Sequence, residues 1–335
     1  MEKKLRAAVI GVGSMGRNHV RVYAEMDEVD LVAIADVNPS VANRIAAIYG
    51  TKAYTDYIRM LEIEQPDLVT IAVPTRAHRE VAIQAAQRKV HLFVEKPLAG
   101  SVTDGEAIIE AAQAAGVSLG VGHIERFNPA VLRLKEELDA GQLGRMFQLH
   151  ARRVGPFPPR VEDVGVVFDL ATHELNVMEY LTGSRVVSLY AETQRAIHAA
   201  HEDLLLGLIK FENGVVGVLD INWLTPTKIR ELSIIGERGM FQVNYLTQDL
   251  YFHENSFTAN GHWEAAMALM GVGEGRMIKY DIRRKEPLRA QLESFVRTIV
   301  EGRRPEIGGE EGLRAVALAQ RLVESGLQRQ VLNVS

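Results

Sequence analysis

The first third of the chain alternates short apolar runs with helical patterns. In residues 77–88 and 104–115 the apolar side chains recur at helical spacing. The apolar runs occupy residues 7–12, 31–35, 68–73, 90–94 and 117–121. Short apolar strands that alternate with helices are typical of a parallel sheet covered on both faces. We therefore predict an α/β domain with a doubly wound parallel sheet over residues 1–122, and a ligand at the carboxyl ends of its strands.

After residue 122 the pattern changes to longer strands and fewer helices. Helical patterns cover residues 128–140, 166–181, 288–300 and 311–325. Runs typical of β-strands cover residues 146–154, 186–193, 204–211, 215–223, 229–235 and 240–245. We predict an α+β domain over residues 123–335 with a mostly antiparallel open sheet. The closing helices, residues 288–326, are expected to pack back towards the first domain, and residues 254–275 are expected to be irregular or mobile.

Composition excludes several classes of protein. A length of 335 residues favours two domains. The chain has no cysteine, which excludes disulfides, thiolate nucleophiles and cysteine-ligated metal sites. The net charge of −5 gives no reason to expect nucleic acid or an anionic membrane as a partner. No apolar run approaches a membrane span, and the charged start lacks a secretory cleavage pattern, so we expect a cytoplasmic protein.

Residues 11–16 read Gly-Val-Gly-Ser-Met-Gly directly after the first apolar run. In this order Gly11 permits a tight turn, Gly13 leaves room for a pyrophosphate, and Gly16 lets the next helix pack close to the strand. The phosphates then lie on N–H groups at the N-terminus of that helix. An ordinary glycine turn is the alternative. We predict a dinucleotide site that contains Gly11, Gly13, Ser14, Met15 and Gly16.

The second apolar run ends in Asp36, twenty residues after Gly16. A dinucleotide fold places at this position the carboxylate that accepts hydrogen bonds from the adenosine ribose. An acid there also repels a 2′-phosphate, and the next arginine along the chain is Arg44. The sequence therefore predicts NAD rather than NADP, with Asn38 in the same site.

Two short segments carry side chains suited to removing a proton from a hydroxyl group. Lys96 lies in Glu95-Lys96-Pro97, directly after run 90–94, and can hydrogen-bond a hydroxyl and stabilise an alkoxide. Asp169 and His173 are four residues apart in a helical pattern, so they share one face, and the imidazole can accept the proton near neutral pH. A surface lysine at a strand end and a surface pair on a helix are the alternatives.

A third polar segment, residues 123–129, follows the last predicted parallel strand. Polar side chains are expected here if a substrate crosses between domains. The alternative is a linker in which Asn128 caps a helix that begins at Pro129.

These segments together resemble the glucose–fructose oxidoreductase/inositol dehydrogenase (Gfo/Idh/MocA) family over essentially the whole chain. The matching pieces are residues 11–16, Asp36, Pro74-Thr75 with His78, Glu95-Lys96-Pro97, Asp169 with His173, and the helical segment from Pro287. The resemblance implies an N-terminal Rossmann domain that binds NAD. It also implies a C-terminal domain whose open sheet forms the interface of a homodimer or homotetramer.

For the chemistry, the resemblance implies reversible oxidation of one hydroxyl of a sugar or cyclitol. Lys96 and Asp169 then hold the hydroxyl, and His173 accepts its proton. Glu95 and Lys96 lie along the nicotinamide, and the Lys96–Pro97 peptide bond is often cis. The resemblance completes the cofactor site with Pro74, Thr75 and His78.

Within the family, residues 122–129 are most similar to the branch that oxidises the 3-hydroxyl of UDP-N-acetylglucosamine-type sugar nucleotides. Arginine suits a diphosphate because its fork binds two oxygens. Only one of Arg152 and Arg153 can face the site, since successive strand residues point to opposite faces; the alternative is that both are solvated. The predicted substrate site contains Glu125, Arg126, Asn128, Arg153 and Asn176.

Two positions depart from the family pattern. Asn176 replaces an aspartate that often lies three residues after the family histidine, which could alter the hydroxyl that is presented. Arg88-Lys89-Val90-His91 lacks a common glycine before the strand, which we expect to affect only a helix end.

Two other functions stay open at this point. One is an inositol or free-sugar dehydrogenase of the same family, and the other is a non-catalytic NAD-binding sensor. Joint retention of Lys96, Asp169 and His173 disfavours the sensor, because NAD binding alone does not need them. His198, His201 and Glu202 are metal-ligand types at helical spacing, but nothing in the sequence identifies partners that would orient them, and we predict no metal.

Overall fold

The computed structural model describes residues 4–158, 164–255 and 274–334 of the chain. These residues form two compact units. The first unit contains residues 4–124, 164 and 286–320, and the second contains residues 125–158, 165–255, 274–285 and 321–334.

A six-stranded parallel sheet forms the centre of the first unit. Its strands are β1 (Leu5–Ile10), β2 (Val29–Ala35), β3 (Lys52–Tyr54), β4 (Leu68–Ile71), β5 (His91–Val94) and β6 (Leu119–Val121). They lie in the order β3-β2-β1-β4-β5-β6, and every neighbouring pair is parallel. This is the predicted doubly wound sheet. The strand order reverses between β1 and β4, so the crevice that binds ligands in this topology lies at the carboxyl ends of these two strands.

Helices connect the strands of this sheet. They are α1 (Gly16–Glu25), α2 (Pro39–Tyr49), α3 (Tyr57–Glu64), α4 (His78–Gln87) and α5 (Val102–Ala115). Side-chain caps fix where α2, α3 and α5 begin, because Asn38, Asp56 and Ser101 each accept backbone N–H groups of the first turn.

The second unit is built on a nine-stranded sheet. Its strands are β7 (Met146–Pro156), β8 (Val186–Gln194), β9 (Leu204–Phe211), β10 (Val216–Asn222), β11 (Leu224–Gly236), β12 (Gly239–Asn244), β13 (Asp249–Asn255), β14 (Glu274–Lys279) and β15 (Leu332–Asn333). They lie in the order β14-β13-β12-β11-β7-β10-β9-β8-β15, and only the β7–β10 pair is parallel among these strands. The unit also contains α6 (Pro129–Asp139) and α7 (Thr172–Thr182). The predicted mostly antiparallel sheet is thus confirmed.

The two closing helices are α8 (Pro287–Glu301) and α9 (Gly309–Gln328). α8 contributes to the core of the first unit, where Leu288, Leu292 and Phe295 join the same apolar cluster as β1. The Phe295 ring meets the edge of Phe93 at a centroid distance of 5.3 Å. Each such buried side chain stabilises the unit by about 1.5–3 kcal/mol.

The helical pattern over residues 166–181 does not form one α-helix, which corrects the sequence prediction. Val167–Ala171 form a π-helical turn, and α7 starts only at Thr172. The start of the π turn is fixed from outside, since the backbone N–H of Val166 donates to the carbonyl oxygen of Glu202 at 2.9 Å. The Thr172 hydroxyl also donates to a backbone carbonyl, that of Phe168, at 2.9 Å. Insertions of this kind are frequent at functional sites.

Residues 254–275 were predicted to be irregular, and the described ends of this segment are strand. Residues 254–255 complete β13, and residues 274–275 begin β14. The rest of the segment, residues 256–273, lies outside the described residues. Among the helices that the structure describes, none is long and apolar enough to cross a membrane.

Candidate active site

The glycine segment forms the turn between β1 and α1. Gly11 has a φ of +83°, and a Cβ atom there would lie 2.7 Å from the carbonyl oxygen of Ala72. A Cβ atom on Gly16 would lie 1.8 Å from the carbonyl oxygen of Gly11. Around Gly13, by contrast, no described heavy atom lies within 4 Å of the Cβ position. The first and third glycines are therefore required by close packing, and the second leaves open space where a pyrophosphate fits.

The Asp36 carboxylate lies against this turn. Its Oδ2 accepts the backbone N–H of Val12 at 3.0 Å, and its Oδ1 accepts that of Asn38 at 2.9 Å. Each carboxylate oxygen can accept a further hydrogen bond, so Asp36 fits the ribose of a dinucleotide. The Asn38 side-chain oxygen caps α2, where it accepts the N–H groups of Ser40 and Val41.

Pro74 and Thr75 follow β4, and Thr75 opens a short 3₁₀ turn that leads into α4. The His78 ring is buried; its Nδ1 lies 3.0 Å from the carbonyl oxygen of Pro97, and its Nε2 lies 3.0 Å from that of Val73. Burial lowers the pKa of His78, and the carbonyl contacts only partly oppose this. His78 therefore connects the segments after β4 and β5 from inside the unit, and supports rather than lines the cofactor crevice.

Glu95 is buried at the end of β5, directly before Lys96. Its Oε1 lies 2.8 Å from Nε2 of His19 on α1, and its Oε2 accepts the backbone N–H of Lys96 at 3.3 Å. The Lys96–Pro97 peptide bond is cis, as the resemblance implied. The carboxylate thus holds the Lys96 backbone against the helix that begins at the glycine turn, and the Lys96 side chain is half-buried.

The second unit carries Asp169 on the π turn and His173 at the start of α7. Asp169 is half-buried, and His173 retains only 7% of its exposure. Glu202 holds the segment that leads to them, because its carboxylate accepts the backbone N–H of Val167 at 3.2 Å. His198 and Asp203, in the same loop as Glu202, accept backbone N–H groups of that loop. Glu202 therefore joins this loop to the π turn, and His198 and Asp203 hold the loop itself.

A buried ion-pair network lies beside His173. Arg153 donates from Nε to Glu174 and from Nη2 to Glu125, each at 2.5 Å. The Tyr245 hydroxyl donates to the other oxygen of Glu174 at 3.0 Å. Burial alone would lower the pKa of Arg153, but the two carboxylates outweigh it and raise that pKa above its ordinary value. Both edges of the Arg153 fork are therefore occupied by protein carboxylates.

Three other predicted substrate residues have identifiable surroundings. Asn128 caps α6 through its side-chain oxygen, and its amide donates to the carbonyl of Tyr245 at 3.0 Å, so the predicted cap is present. The Arg126 guanidinium stacks on Tyr180, 3.8 Å from the ring centroid. The Asn176 side-chain oxygen is buried and has no hydrogen-bond partner among the described residues. Asn176 is therefore the member of this set with an unused acceptor.

Two family models match the chain. The model of the "Oxidoreductase family, NAD-binding Rossmann fold" matches residues 5–123, and the model of the "GFO/IDH/MocA C-terminal domain" matches residues 131–242. The chain belongs to the Gfo/Idh/MocA oxidoreductase family. This confirms the resemblance seen in the sequence.

Relatives match the chain over nearly its full length. UDP-N-acetylglucosamine 3-dehydrogenase of Acidithiobacillus ferrooxidans is 30% identical, over 97% of this chain and 99% of its own. Myo-inositol 2-dehydrogenase of Thermotoga maritima is 25% identical over 94% of each chain. A solved structure of the Acidithiobacillus enzyme matches with a TM-score of 0.84 at 29% identity, covering 98% of this chain and all of that one. Levoglucosan dehydrogenase in complex with NADH and levoglucosan shares the fold, with a TM-score of 0.87 at 22% identity, 99% of this chain and 100% of that one.

As a Gfo/Idh/MocA member, the protein is an NAD-dependent dehydrogenase. The first unit fits this cofactor by its own geometry, since the open face of Gly13 and the Asp36 carboxylate lie at the same turn. Gly13 leaves room for a pyrophosphate, and Asp36 offers acceptors for a ribose hydroxyl.

Sequence reasoning missed three members of the second unit's buried polar group, Glu174, Arg230 and Tyr245. Glu174 directly follows the predicted base His173. Helical spacing could not predict that Glu174 pairs with Arg153, because Arg153 lies on a separate strand, β7. Arg230 had a visible signal, because it shares the inward phase of β11 with Leu232 and Ile234. A charged side chain in an apolar phase marks either a buried pair or a ligand contact.

Proposed function

We propose that this dehydrogenase oxidises a secondary ring hydroxyl of a sugar, at C3 of UDP-N-acetylglucosamine or a related sugar nucleotide. The observation that carries the proposal is the 30% identity to UDP-N-acetylglucosamine 3-dehydrogenase, which extends over 97% of the chain and so includes both units. The nearly buried imidazole of His173, close in sequence to the half-buried Asp169, supplies the acid–base pair that the reaction needs.

In this proposal each catalytic side chain has one role. His173 accepts the proton of the hydroxyl group, because an imidazole is largely unprotonated near neutral pH and can take up a proton. Lys96 and Asp169 hydrogen-bond the same oxygen and orient it, and the ammonium stabilises charge that develops on it. Bound NAD supplies the acceptor for the hydride that leaves the carbon.

The remaining predicted site residues divide by their surroundings. Asn176 carries an acceptor for a substrate hydroxyl. Arg153, Glu125 and Asn128 are positioning residues in this proposal, since their polar atoms bond to protein groups.

A second substrate class has its own support. Myo-inositol 2-dehydrogenase of Thermotoga maritima is 25% identical over 94% of both chains, so a cyclitol is the alternative substrate for the same chemistry. A cyclitol carries no phosphate, which makes the two classes separable by experiment.

The test is the nicotinamide absorbance after NAD and enzyme are mixed with UDP-N-acetylglucosamine or with myo-inositol. We expect reduction with the sugar nucleotide and none with the cyclitol. His173→Ala should lower kcat by about 10²–10⁴ and leave NAD affinity unchanged, because general base catalysis contributes about that factor. His91→Ala, in which the changed residue is half-buried at the start of β5, is the control.

Either of two results would refute the proposal. Reduction with myo-inositol alone would move the protein to the cyclitol class. Bound NAD without turnover on any sugar or cyclitol would favour the non-catalytic sensor. Full activity in His173→Ala would remove only the assignment of the base.

The proposal includes a homodimer or homotetramer formed through the open sheet of the second unit. Leu208 is 52% exposed on β9, and its register neighbours are Tyr190 on β8 and Val218 on β10. Directly paired residues share one face of a sheet, so these three side chains form one apolar row. An exposed apolar row of this kind is suited to an interface with a second copy.

A further inference from the structure

We propose that Arg230 binds a phosphate group of the substrate. The inference deepens the proposed function, on which it rests, because it commits the second unit to a phosphorylated substrate rather than a neutral polyol.

Arg230 lies on β11 directly opposite Arg153 on β7 in the strand register. Its side chain belongs to the inward phase of the strand, with Leu232 and Ile234, and the residue is 9% exposed. A guanidinium is almost never buried to this degree without a charged partner. The partners of the Arg230 guanidinium therefore indicate whether it has a structural role or binds a ligand.

Among the described residues, Arg230 donates hydrogen bonds to two backbone carbonyls. Its Nη1 donates to the carbonyl oxygen of Val154 at 2.6 Å and to that of Ile229 at 2.9 Å. Within the described ranges Arg230 forms no ion pair, and the carboxylates near it act through their charge without a hydrogen bond. None of these nitrogens is among the fully buried atoms that lack a hydrogen bond, so the remaining donors reach the surface of the unit.

The two other arginines of the β7–β11 pair differ from Arg230 because each is paired with a carboxylate. Arg153 is held by Glu125 and Glu174. Arg152 lies on the opposite face of β7, where its Nε is 3.3 Å from Asp220 on β10. Arg230 is thus the arginine of the β7–β11 pair that has donors available and no carboxylate of its own.

The electrostatic surroundings favour an incoming anion. Burial, reinforced by the nearby charge of Arg153, lowers the pKa of Arg230 to about 10. Glu174, Glu125 and Asp169 oppose that decrease from a distance, and the first two are already paired with Arg153. An anion on Arg230 would supply the missing counter-charge.

The nearby charge of Asp169 indicates where an anion on Arg230 would lie relative to the proposed reacting hydroxyl. Arg230 is close enough to interact with Asp169, the carboxylate proposed to hold the reacting hydroxyl. A phosphate is favoured over other groups because the guanidinium fork can bind two of its oxygens. A substrate that carries its phosphates near the oxidised ring, as a sugar nucleotide does, fits this position.

The test measures binding of UDP by isothermal titration to enzyme saturated with NAD, so that UDP cannot occupy the cofactor site. We expect Arg230→Gln to weaken UDP binding about tenfold or more, and Arg230→Lys to weaken it less, because lysine keeps the charge and loses the fork. Arg152→Gln, a change on the opposite face of the sheet, should bind UDP as the unmodified enzyme does. Uridine, which lacks phosphate, should bind more weakly than UDP to the unmodified enzyme and equally to all four proteins.

Thermal unfolding establishes that each variant is folded, and if Arg230→Gln is not, Arg230→Lys provides the comparison. UDP binding that is unchanged in the folded Arg230 variants would overturn the proposal. So would equal binding of UDP and uridine by the unmodified enzyme, or an inorganic phosphate titration with the same dependence on Arg152 as on Arg230.

Failure of this inference can be distinguished from failure of the proposed function. Turnover of a cyclitol without any UDP binding would refute both the phosphate site and the nucleotide substrate while retaining the dehydrogenase. Arg230-dependent UDP binding without turnover of UDP-N-acetylglucosamine would retain the phosphate site and refute that substrate.

Discussion

Single residues in the second unit show how neighbouring charges acquire different uses. Arg152 and Arg153 are adjacent in sequence, and strand alternation alone sends one to Asp220 and the other into the buried network. Glu174 accepts from both Arg153 and Tyr245, so its carboxylate is satisfied although burial raises its pKa. Because Glu174 follows His173 directly, this network fixes the first turn of α7.

We predict that Tyr245→Phe lowers the free energy of unfolding by about 1–3 kcal/mol, because it leaves a buried oxygen of Glu174 without its donor. Tyr245 stays protonated, since burial, together with Glu174, raises its pKa well above the ordinary value. Tyr280→Phe is the control; its hydroxyl lies 3.4 Å from Glu137 at a partly exposed site, and we expect a loss below about 0.5 kcal/mol. Urea unfolding measures both values. Equal losses in the two variants would show that the buried bond adds nothing.

A second prediction concerns His78 and pH. Burial lowers the pKa of the folded ring, so below about pH 6.5 the unfolded chain binds a proton that the folded chain does not. The neutral, buried His78 ring therefore contributes its full share to the free energy of unfolding at a pH above the unfolded pKa. This contribution declines as the pH falls from about 7 to 5. We expect His78→Asn to reduce the slope of unfolding free energy against pH in this range by up to about 1.4 kcal/mol per pH unit. Parallel slopes for the two proteins would contradict the prediction.

At the level of elements, the end of α4 differs from the family pattern in a way that can be measured. Lys89 has a φ of +58°, a left-handed conformation that favours glycine, and it lies in the segment 88–91 that lacks the glycine common in the family. We predict that Lys89→Gly raises the free energy of unfolding by roughly 0.5–1 kcal/mol, since relief of strain exceeds the added freedom of the unfolded chain. Lys89→Ala, which keeps the Cβ atom, should be neutral in the same urea titration. A glycine variant no more stable than the alanine variant would count against strain at this site.

The elements of the first unit followed from the sequence because each was encoded locally. Apolar runs bounded by helix caps and glycines gave β1, β2, β4, β5 and β6 to within about three residues. β3 of this unit and β15 of the second unit, of three and two residues, were missed because strands this short carry no period.

The site was predictable to a different degree in each unit. In the first unit, residues 11–16 form a contiguous motif and Asp36 follows at a fixed spacing, so spacing predicts this part of the cofactor site. Pro74, Thr75 and His78 were predicted only from the family resemblance. The π turn was missed, because its cause is a contact between Val166 and Glu202, thirty-six residues later in the chain. The pairing of Arg153 with Glu174 and the position of Arg230 depend on strand register, which local patterns do not determine.

At the level of the whole molecule, the proposed cofactor, catalytic and phosphate-binding residues are divided between two compact units. The first holds the glycine turn, Asp36 and Lys96, and the second holds Asp169, His173 and Arg230. In β9 of the nine-stranded sheet, alternate side chains are buried and exposed, so the exposed ones share one face of the sheet. This exposed face includes Leu206 and Leu208, which are 50% and 52% exposed.

The last prediction concerns this outward face. In the register, Leu208 lies between Tyr190 and Val218, whereas Leu206 lies between Glu192 and Asp220, so an apolar row runs beside a charged one. In a symmetric interface that buries the apolar row, Glu192 and Asp220 of the second copy would lie close to the same row. A carboxylate introduced at position 208 would then be buried without a partner of opposite charge. We expect the unmodified protein to be a dimer or tetramer in size-exclusion chromatography with light scattering, and Leu208→Glu to be a folded monomer. Ile63→Glu, at a 54% exposed position on α3, should keep the mass of the unmodified protein. An unmodified protein that is monomeric, or a Leu208→Glu variant of unchanged mass, would show that the oligomer does not form through this sheet.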